Sequence, residues 1–211
     1  LKKMNRLSDA GQAYRKSIEL APHFGEAHFN LGNILELAHR YEEAIAAFRT
    51  SLQYAPDLVV AEFHLANLLR QSGQIEESIQ HYERAISIDP SFADAYRSLA
   101  FTRRFRKADT FVETMEQMFA SENTSSENRM YLGFGLGKVF EDIGDYNRMF
   151  EYLFEANKLK RSSYDYDIAW DRAFCADLKK EFNDQYFSNL SADGNEDSAP
   201  IFVFGMPRSG T

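Results

Sequence analysis

The residues best suited to chemistry are the last seven, a loop of glycine, proline, arginine and hydroxyl side chains that follows a short apolar run. Ile201–Phe204 combines β-branched and aromatic residues, which predicts a buried strand. The chain continues as Gly205-Met-Pro-Arg-Ser-Gly-Thr211. A glycine-rich turn between a strand and a helix brings backbone N–H groups close to an anion. The pattern therefore predicts the start of a phosphate-binding loop.

The residue after the second glycine indicates which class of phosphate-binding loop the motif could form. A loop that binds nucleoside triphosphates through Gly-x-x-x-x-Gly-Lys has lysine there, whereas this chain has Thr211. A nucleotide triphosphatase is therefore disfavoured. An ordinary strand followed by a glycine-proline turn is the alternative without chemistry.

The motif Gly-x-Pro-Arg-Ser-Gly-Thr after an apolar strand resembles the sulfotransferases that use 3′-phosphoadenosine 5′-phosphosulfate (PAPS). The likeness is greatest to the tyrosylprotein type and to bacterial fusions of a tetratricopeptide-repeat domain with a sulfotransferase. It implies sulfuryl transfer from PAPS to an acceptor, with Arg208 as the catalytic residue that meets charge growing on the leaving phosphate. It also implies that the 5′-phosphosulfate group is held by Gly205, Arg208, Ser209, Gly210 and Thr211. The base, the 3′-phosphate site and the acceptor site would follow Thr211, so we expect this fragment alone to be inactive.

The elements that must position this loop are predicted by an internal repeat of 34 residues. Proline, small and aromatic residues recur at this spacing: Pro22, Pro56 and Pro90; Ala10, Ala44 and Ser78; Tyr14, Phe48 and Tyr82. The pattern resembles the tetratricopeptide repeat, in which each unit is two antiparallel helices. The resemblance implies an all-α right-handed superhelix of about five helix pairs. One C-terminal strand would then begin an α/β, P-loop-like sulfotransferase domain.

The repeat register predicts the helices. Residues 1–3 would end a first helix whose beginning is absent, and its partner would begin near Ser8. The next two repeats would pair Gly25–Ala38 with Tyr41–Tyr54, and Leu58–Gln71 with Ile75–Ile88. In the fourth repeat Thr124 replaces the expected proline, which indicates a degenerate unit with a longer loop at Arg104–Asp109. A fifth unit restores the pattern, and a helix over about Tyr166–Phe182 follows.

These patterns divide the chain into four predicted segments. Residues 1–161 form the repeat array, 162–190 a connecting helix, 191–199 a polar linker, and 200–211 the first strand and loop of the sulfotransferase domain.

A binding site on the array is predicted from matched positions on first helices, which line the concave face of this fold. Asn33 and Asn67 are equivalent, and so are Phe29 and Phe63 one turn earlier. An asparagine amide can both donate to and accept from a peptide backbone. The pairing resembles the peptide-gripping asparagines of O-linked N-acetylglucosamine transferases. Packing between repeats or simple solvation of these side chains is the alternative.

Composition limits the other possibilities. The 211 residues carry a net charge of −8, which argues against an extended nucleic-acid surface. No apolar run approaches the roughly 20 residues of a membrane span. Cys175 is the single cysteine, and the five histidines lack metal-ligand spacing, so we expect no intrachain disulfide and no metal. We expect a cytoplasmic protein.

Two functions remain open at this point. The first is the interaction domain of a PAPS-dependent sulfotransferase, with a protein or peptide on the concave face or self-association as homodimer. The second is a stand-alone scaffold that binds a peptide or partner protein without catalysis. A glycosyltransferase fusion is disfavoured by the Pro-Arg-Ser-Gly-Thr motif.

Overall fold

The computed structural model describes residues 2–189, which belong to two compact units divided between Tyr164 and Asp165. Within this range every regular element is a helix, as the repeat pattern predicts. The predicted linker, the strand Ile201–Phe204 and the loop after it lie outside the described residues.

The first unit is an array of helices in sequence order. Its helices are α1 (Lys2–Leu20), α2 (Gly25–Leu37), α3 (Tyr41–Tyr54), α4 (Val59–Gln71), α5 (Ile75–Ile88), α6 (Ala93–Thr102), α7 (Thr110–Ala120), α8 (Ser126–Ile143) and α9 (Tyr146–Ser162). Helices α2 and α3, α4 and α5, and α8 and α9 pack as neighbours. The first two pairs also pack against the helix that follows them, and α8 packs against α6 and α7. The predicted all-α repeat architecture is confirmed.

The start of the array differs from the prediction. Helix α1 runs without a break from Lys2 to Leu20, so residues 1–3 do not end a separate helix before Ser8. The sequence between Lys3 and Ser8 has neither glycine nor proline, so nothing in it ends a helix.

The second unit contains α10 (Ile168–Glu181) and α11 (Asp184–Asn189). Asp167 caps α10, because its carboxylate accepts a hydrogen bond from the backbone N–H of Ala169 at 2.8 Å. The helix predicted over about Tyr166–Phe182 is therefore present, with slightly narrower bounds.

Close packing within a repeat depends on a small residue facing a large one. A Cβ atom at Gly32 on α2 would lie 2.6 Å from the ring of Phe48 on α3, a separation that real Cβ atoms do not show. The corresponding pair in the third repeat is Ala66 and Tyr82, which share one core cluster. Phe48 and Tyr82 are both fully buried. The small residues therefore let the second helix insert an aromatic ring beneath the first.

The fourth repeat departs from this geometry. Seven residues, 103–109, connect α6 to α7, whereas three connect α2 to α3 and two connect α8 to α9. The longer loop is therefore confirmed. Phe105 anchors it, since the ring is only 4% exposed and the backbone N–H donates to Asp142 Oδ2 at 3.3 Å. Tyr96 of α6 and Phe111 of α7 stack with ring centroids 5.2 Å apart.

The helices of the array also bury two serine hydroxyls, those of Ser51 and Ser78, which differ in their hydrogen bonding. Both are 0% exposed, but Ser78 Oγ donates to the carbonyl of Ile75 at 2.7 Å while Ser51 Oγ has no hydrogen-bond partner among the described residues. The third and fifth repeats carry Ala85 and Ala156 at the place of Ser51, and both are fully buried.

We expect Ser51→Ala to leave the free energy of unfolding unchanged or to raise it by up to about 1 kcal/mol, because it removes an unsatisfied buried hydroxyl. Ser78→Ala is the matched control and should lower it by about 0.5–1.5 kcal/mol through loss of a hydrogen bond. Urea unfolding of both variants measures the difference. Greater destabilisation by Ser51→Ala than by Ser78→Ala would contradict this account.

Candidate functional site

The four residues predicted to bind a peptide lie on two helices of consecutive repeats. Phe29 and Asn33 are on α2, and Phe63 and Asn67 are on α4. Each is half-buried, so none is a freely solvated side chain.

The two phenylalanine rings belong to the packing between helices. The Phe29 centroid lies 5.7 Å from the rings of both Phe48 and His64. The Phe63 ring makes an edge contact with Phe92 at 4.9 Å and lies 5.9 Å from Tyr82. Part of each ring stays accessible, but most of its surface is already used by the repeat array.

The amide oxygen of Asn67 is engaged by its own repeat. The hydroxyl of Tyr82 donates a hydrogen bond to Asn67 Oδ1 at 2.6 Å and joins α5 to α4. Burial raises the pKa of Tyr82, while nearby Arg70 and Ser98 act in the opposite direction. This contact fits the alternative of packing between helices, while the peptide-binding role of Asn67 stays a prediction.

Asn33 is in a different situation, because its Oδ1 atom is buried and has no hydrogen-bond partner among the described residues. Phe48 stands 34 residues before Tyr82, at the place from which a hydroxyl would reach Asn33. A buried acceptor is rarely left without a donor. The difference between Phe48 and Tyr82 is visible in the sequence. Only the contact between Tyr82 and Asn67 in the structure shows that the absent hydroxyl of Phe48 leaves Asn33 without a donor.

One turn beyond Asn33, a side-chain hydrogen bond connects the same two helices. Glu36 Oε2 on α2 accepts from His64 Nδ1 on α4 at 3.1 Å, and about a third of each side chain is exposed. The site around Asn33 thus contains an unpartnered amide oxygen, the edge of Phe29 and an acid–histidine pair. This combination favours recognition of polar backbone groups next to apolar side chains.

Other kinds of site are not formed by the described residues. Among them no group of three or more histidine, cysteine or acidic side chains could hold a metal ion. No helix in the same range is long and apolar enough to cross a membrane. The predicted loop residues Gly205, Arg208, Ser209, Gly210 and Thr211 lie outside it.

The hydrogen bond of Tyr82 predicts a pH-dependent stability. A tyrosine whose pKa is raised in the folded protein keeps its proton while the same group ionises in the unfolded chain above about pH 10. The unfolded state then binds fewer protons, so the free energy of unfolding falls as pH rises through this region.

We expect Tyr82→Phe to lower the free energy of unfolding at neutral pH by about 0.5–1.5 kcal/mol, because Asn67 Oδ1 loses its donor. The difference from wild type should shrink at about pH 11, where the wild type has lost part of the contribution of Tyr82. Urea unfolding at both pH values tests this expectation. A difference that grows at high pH would contradict it.

Comparisons with known proteins identify the repeats. Residues 25–58 match the family model described as tetratricopeptide repeat, and residues 66–103 match a second model described as TPR repeat. The first segment begins at the start of α2 and includes Asn33. The second begins inside α4 and includes Asn67.

A curated relative matches over part of its length. It is an uncharacterized protein of Aquifex aeolicus (strain VF5), 33% identical over 107 residues. The match covers 51% of this chain but only 14% of the relative, so the chain spans a small part of that protein.

Solved structures share the fold at low identity. A crystal structure of MamA is 18% identical with a TM-score of 0.59, covering 77% of this chain and 95% of that one. A structure of YrrB, titled a TPR protein with an unusual peptide-binding site, is 18% identical with a TM-score of 0.56 and covers 76% and 81%. BtubC from P. vanneervenii is 14% identical with a TM-score of 0.61 and covers 79% and 78%. The chain contains tetratricopeptide repeats and folds as a helical solenoid of that type.

Proposed function

We propose that the repeat array is a scaffold that binds an extended peptide segment of a partner protein, with Asn33 as its main contact to the peptide backbone. The observation that carries this proposal is the buried Asn33 Oδ1 atom without a donor. Asn33 as a whole is only half-buried, so its amide can turn toward a bound peptide, whose backbone N–H has the chemistry to supply that donor. Satisfying a buried acceptor gives binding a gain that a solvated amide would not give.

The surroundings of Asn33 support a peptide rather than a small polar molecule. The partly accessible ring of Phe29 can contact an apolar side chain, and the Glu36–His64 pair supplies polar groups one turn away. YrrB shares the fold and is a TPR protein with an unusual peptide-binding site. The same kind of ligand suits the α2 and α4 surface of this array.

Asn33 and Asn67 have unequal tasks in this proposal. Asn67 already accepts from Tyr82 and contributes mainly to the stability of the third repeat. Asn33 Oδ1 has no such hydrogen bond from the described residues of the folded chain, so in this proposal Asn33 contributes to ligand binding and not to stability. The two asparagines therefore provide their own matched comparison.

We expect Asn33→Ala to weaken peptide binding by roughly 3- to 10-fold, the value of one hydrogen bond, while leaving the melting temperature unchanged. Asn67→Ala should instead lower the melting temperature, because it leaves the Tyr82 hydroxyl without its acceptor. The probe is a 12-residue peptide selected from a random library on the immobilised chain, with affinity measured by fluorescence anisotropy. Unchanged affinity for Asn33→Ala, with binding lost only through variants elsewhere on the array, would refute the proposal.

A second candidate concerns the protein of which this array would be a part. We infer from the motif Gly205-Met-Pro-Arg-Ser-Gly-Thr211 that the array precedes a PAPS-dependent sulfotransferase domain and orients its acceptor. Arg208 would meet the negative charge that develops on the leaving phosphate, and backbone donors of residues 209–211 would hold the same group. PAPS supplies the sulfuryl group when bound. An acceptor peptide held by the scaffold would link the two candidates.

In the full-length parent we expect Arg208→Ala to reduce turnover at saturating PAPS by about 10²–10³-fold, the usual cost of one such donor. Arg208→Lys should recover part of the loss, because it keeps the charge but not the fork of donors. Sulfuryl transfer and a melting curve are measured for both variants. Normal turnover of Arg208→Ala at an unchanged melting temperature would leave the scaffold as the only candidate.

A further inference from the structure

The loop between α6 and α7 carries the densest positive charge of the array. Arg103, Arg104, Arg106 and Lys107 are four basic residues within five positions, in a chain with a net charge of −8. We propose that this loop, residues 103–107, is a docking surface for an acidic segment of a partner protein. It lies apart from the peptide site at Asn33 and is independent of it.

The loop is fixed in place from inside the repeat. Phe105 is buried, and the guanidinium carbon of Arg103 lies 4.4 Å and 4.8 Å from the ring centroids of Phe105 and Phe111. Arg103 also pairs with Asp109 at 2.8 Å. One cation and one aromatic ring of the loop therefore act as its anchor.

The other three basic side chains of the anchored loop lie at the protein surface. Arg104, Arg106 and Lys107 are exposed, and no carboxylate of the described residues lies within 4.0 Å of them. Most other basic side chains of the array are paired, including Arg40, Arg49, Arg84, Arg97, Lys138 and Arg148. Three unpaired charges on a rigid loop form a surface that does not have to be ordered when a partner binds.

The chemistry favours a short acidic peptide segment over a nucleic acid. A polyanion extends far beyond three cations and would meet the negative charge of the rest of the chain. A segment with a few aspartate and glutamate residues needs only the loop itself. Phe101, in the last turn of α6, is 54% exposed just before the loop and adds an apolar contact for one side chain of that segment.

The loop between α6 and α7 is longer than its counterparts in the other repeats. The corresponding connections in the second and third repeats have three residues, 38–40 and 72–74, and close the helix pair without a buried anchor from the loop. Loops held by a rigid scaffold are where repeat proteins and others carry binding residues. The longer connection in the fourth repeat therefore forms an anchored basic loop and is not only a longer turn.

The test measures binding of a fluorescent 12-residue peptide of aspartate and glutamate with one central leucine to the 211-residue chain. A peptide with asparagine and glutamine in place of the acids is the neutral probe. The loop variant combines Arg104→Gln, Arg106→Gln and Lys107→Gln. The control variant combines Lys16→Gln, Lys158→Gln and Lys160→Gln, three exposed lysines on α1 and α9, and changes the net charge equally.

We expect the acidic peptide to bind wild type and the control variant alike, and the loop variant roughly tenfold more weakly, from three exposed charge contacts. The neutral peptide should bind no better than the acidic peptide binds the loop variant. Equal weakening in the two triple variants would overturn the proposal, because only net charge would then matter. It would also be overturned if a 12-nucleotide single strand bound the loop more tightly than the acidic peptide at physiological salt.

Asn33→Ala separates this surface from the peptide site. The variant should bind the acidic peptide as wild type does, since the loop residues are unchanged. Loss of acidic-peptide binding in Asn33→Ala, with normal binding by the loop variant, would place the acidic ligand at the α2 and α4 site and refute the loop.

Discussion

The array depends on one repeated contact, in which a small residue on the first helix of a pair admits a large side chain from the second. Gly32 faces Phe48, and a Cβ atom at Gly137 would lie 2.5 Å from Leu153 in the fifth repeat. The distance between the helices, and hence the burial of everything between them, follows from this contact. The same large residue also decides whether the asparagine on the first helix has a hydrogen-bond donor. A tyrosine at the position satisfies Asn67, whereas a phenylalanine leaves Asn33 with a free acceptor.

The fourth repeat shows what happens when the large apolar residue is missing. The position equivalent to Phe48 and Tyr82 is Glu116, which cannot be buried beneath the preceding helix. Its carboxylate instead accepts from the Tyr152 hydroxyl at 2.6 Å and pairs with Arg148, both on α9. Helix α7 uses Val112 and Met115 for its buried face, and a seven-residue loop covers the altered path from α6.

The period of 34 residues was sufficient to predict the array, because each repeat must bury the same face against its neighbours. The unbroken α1 was not predicted, since the repeat register suggested a turn where the residues themselves contain no helix-breaking signal. The longer loop of the fourth repeat was predicted, but the fully buried Val112 of α7 was not. The difference between Asn33 and Asn67 could not be predicted from equivalent positions, because it depends on a hydroxyl contributed by another helix.

In this array the regular positions of the repeat are used mainly for packing, and both proposed binding features lie where a repeat departs from that pattern. Phe48 in place of tyrosine keeps the buried ring and removes one hydroxyl, which costs the fold a single hydrogen bond of about 1 kcal/mol. The anchored loop keeps a buried aromatic residue, Phe105, while exposing three cations that contribute nothing to the core. In both cases the buried apolar surface is preserved, and only polar or charged groups are left without a partner inside the array. Such changes are the ones a solenoid can accept, because its stability comes from apolar contacts between neighbouring helices.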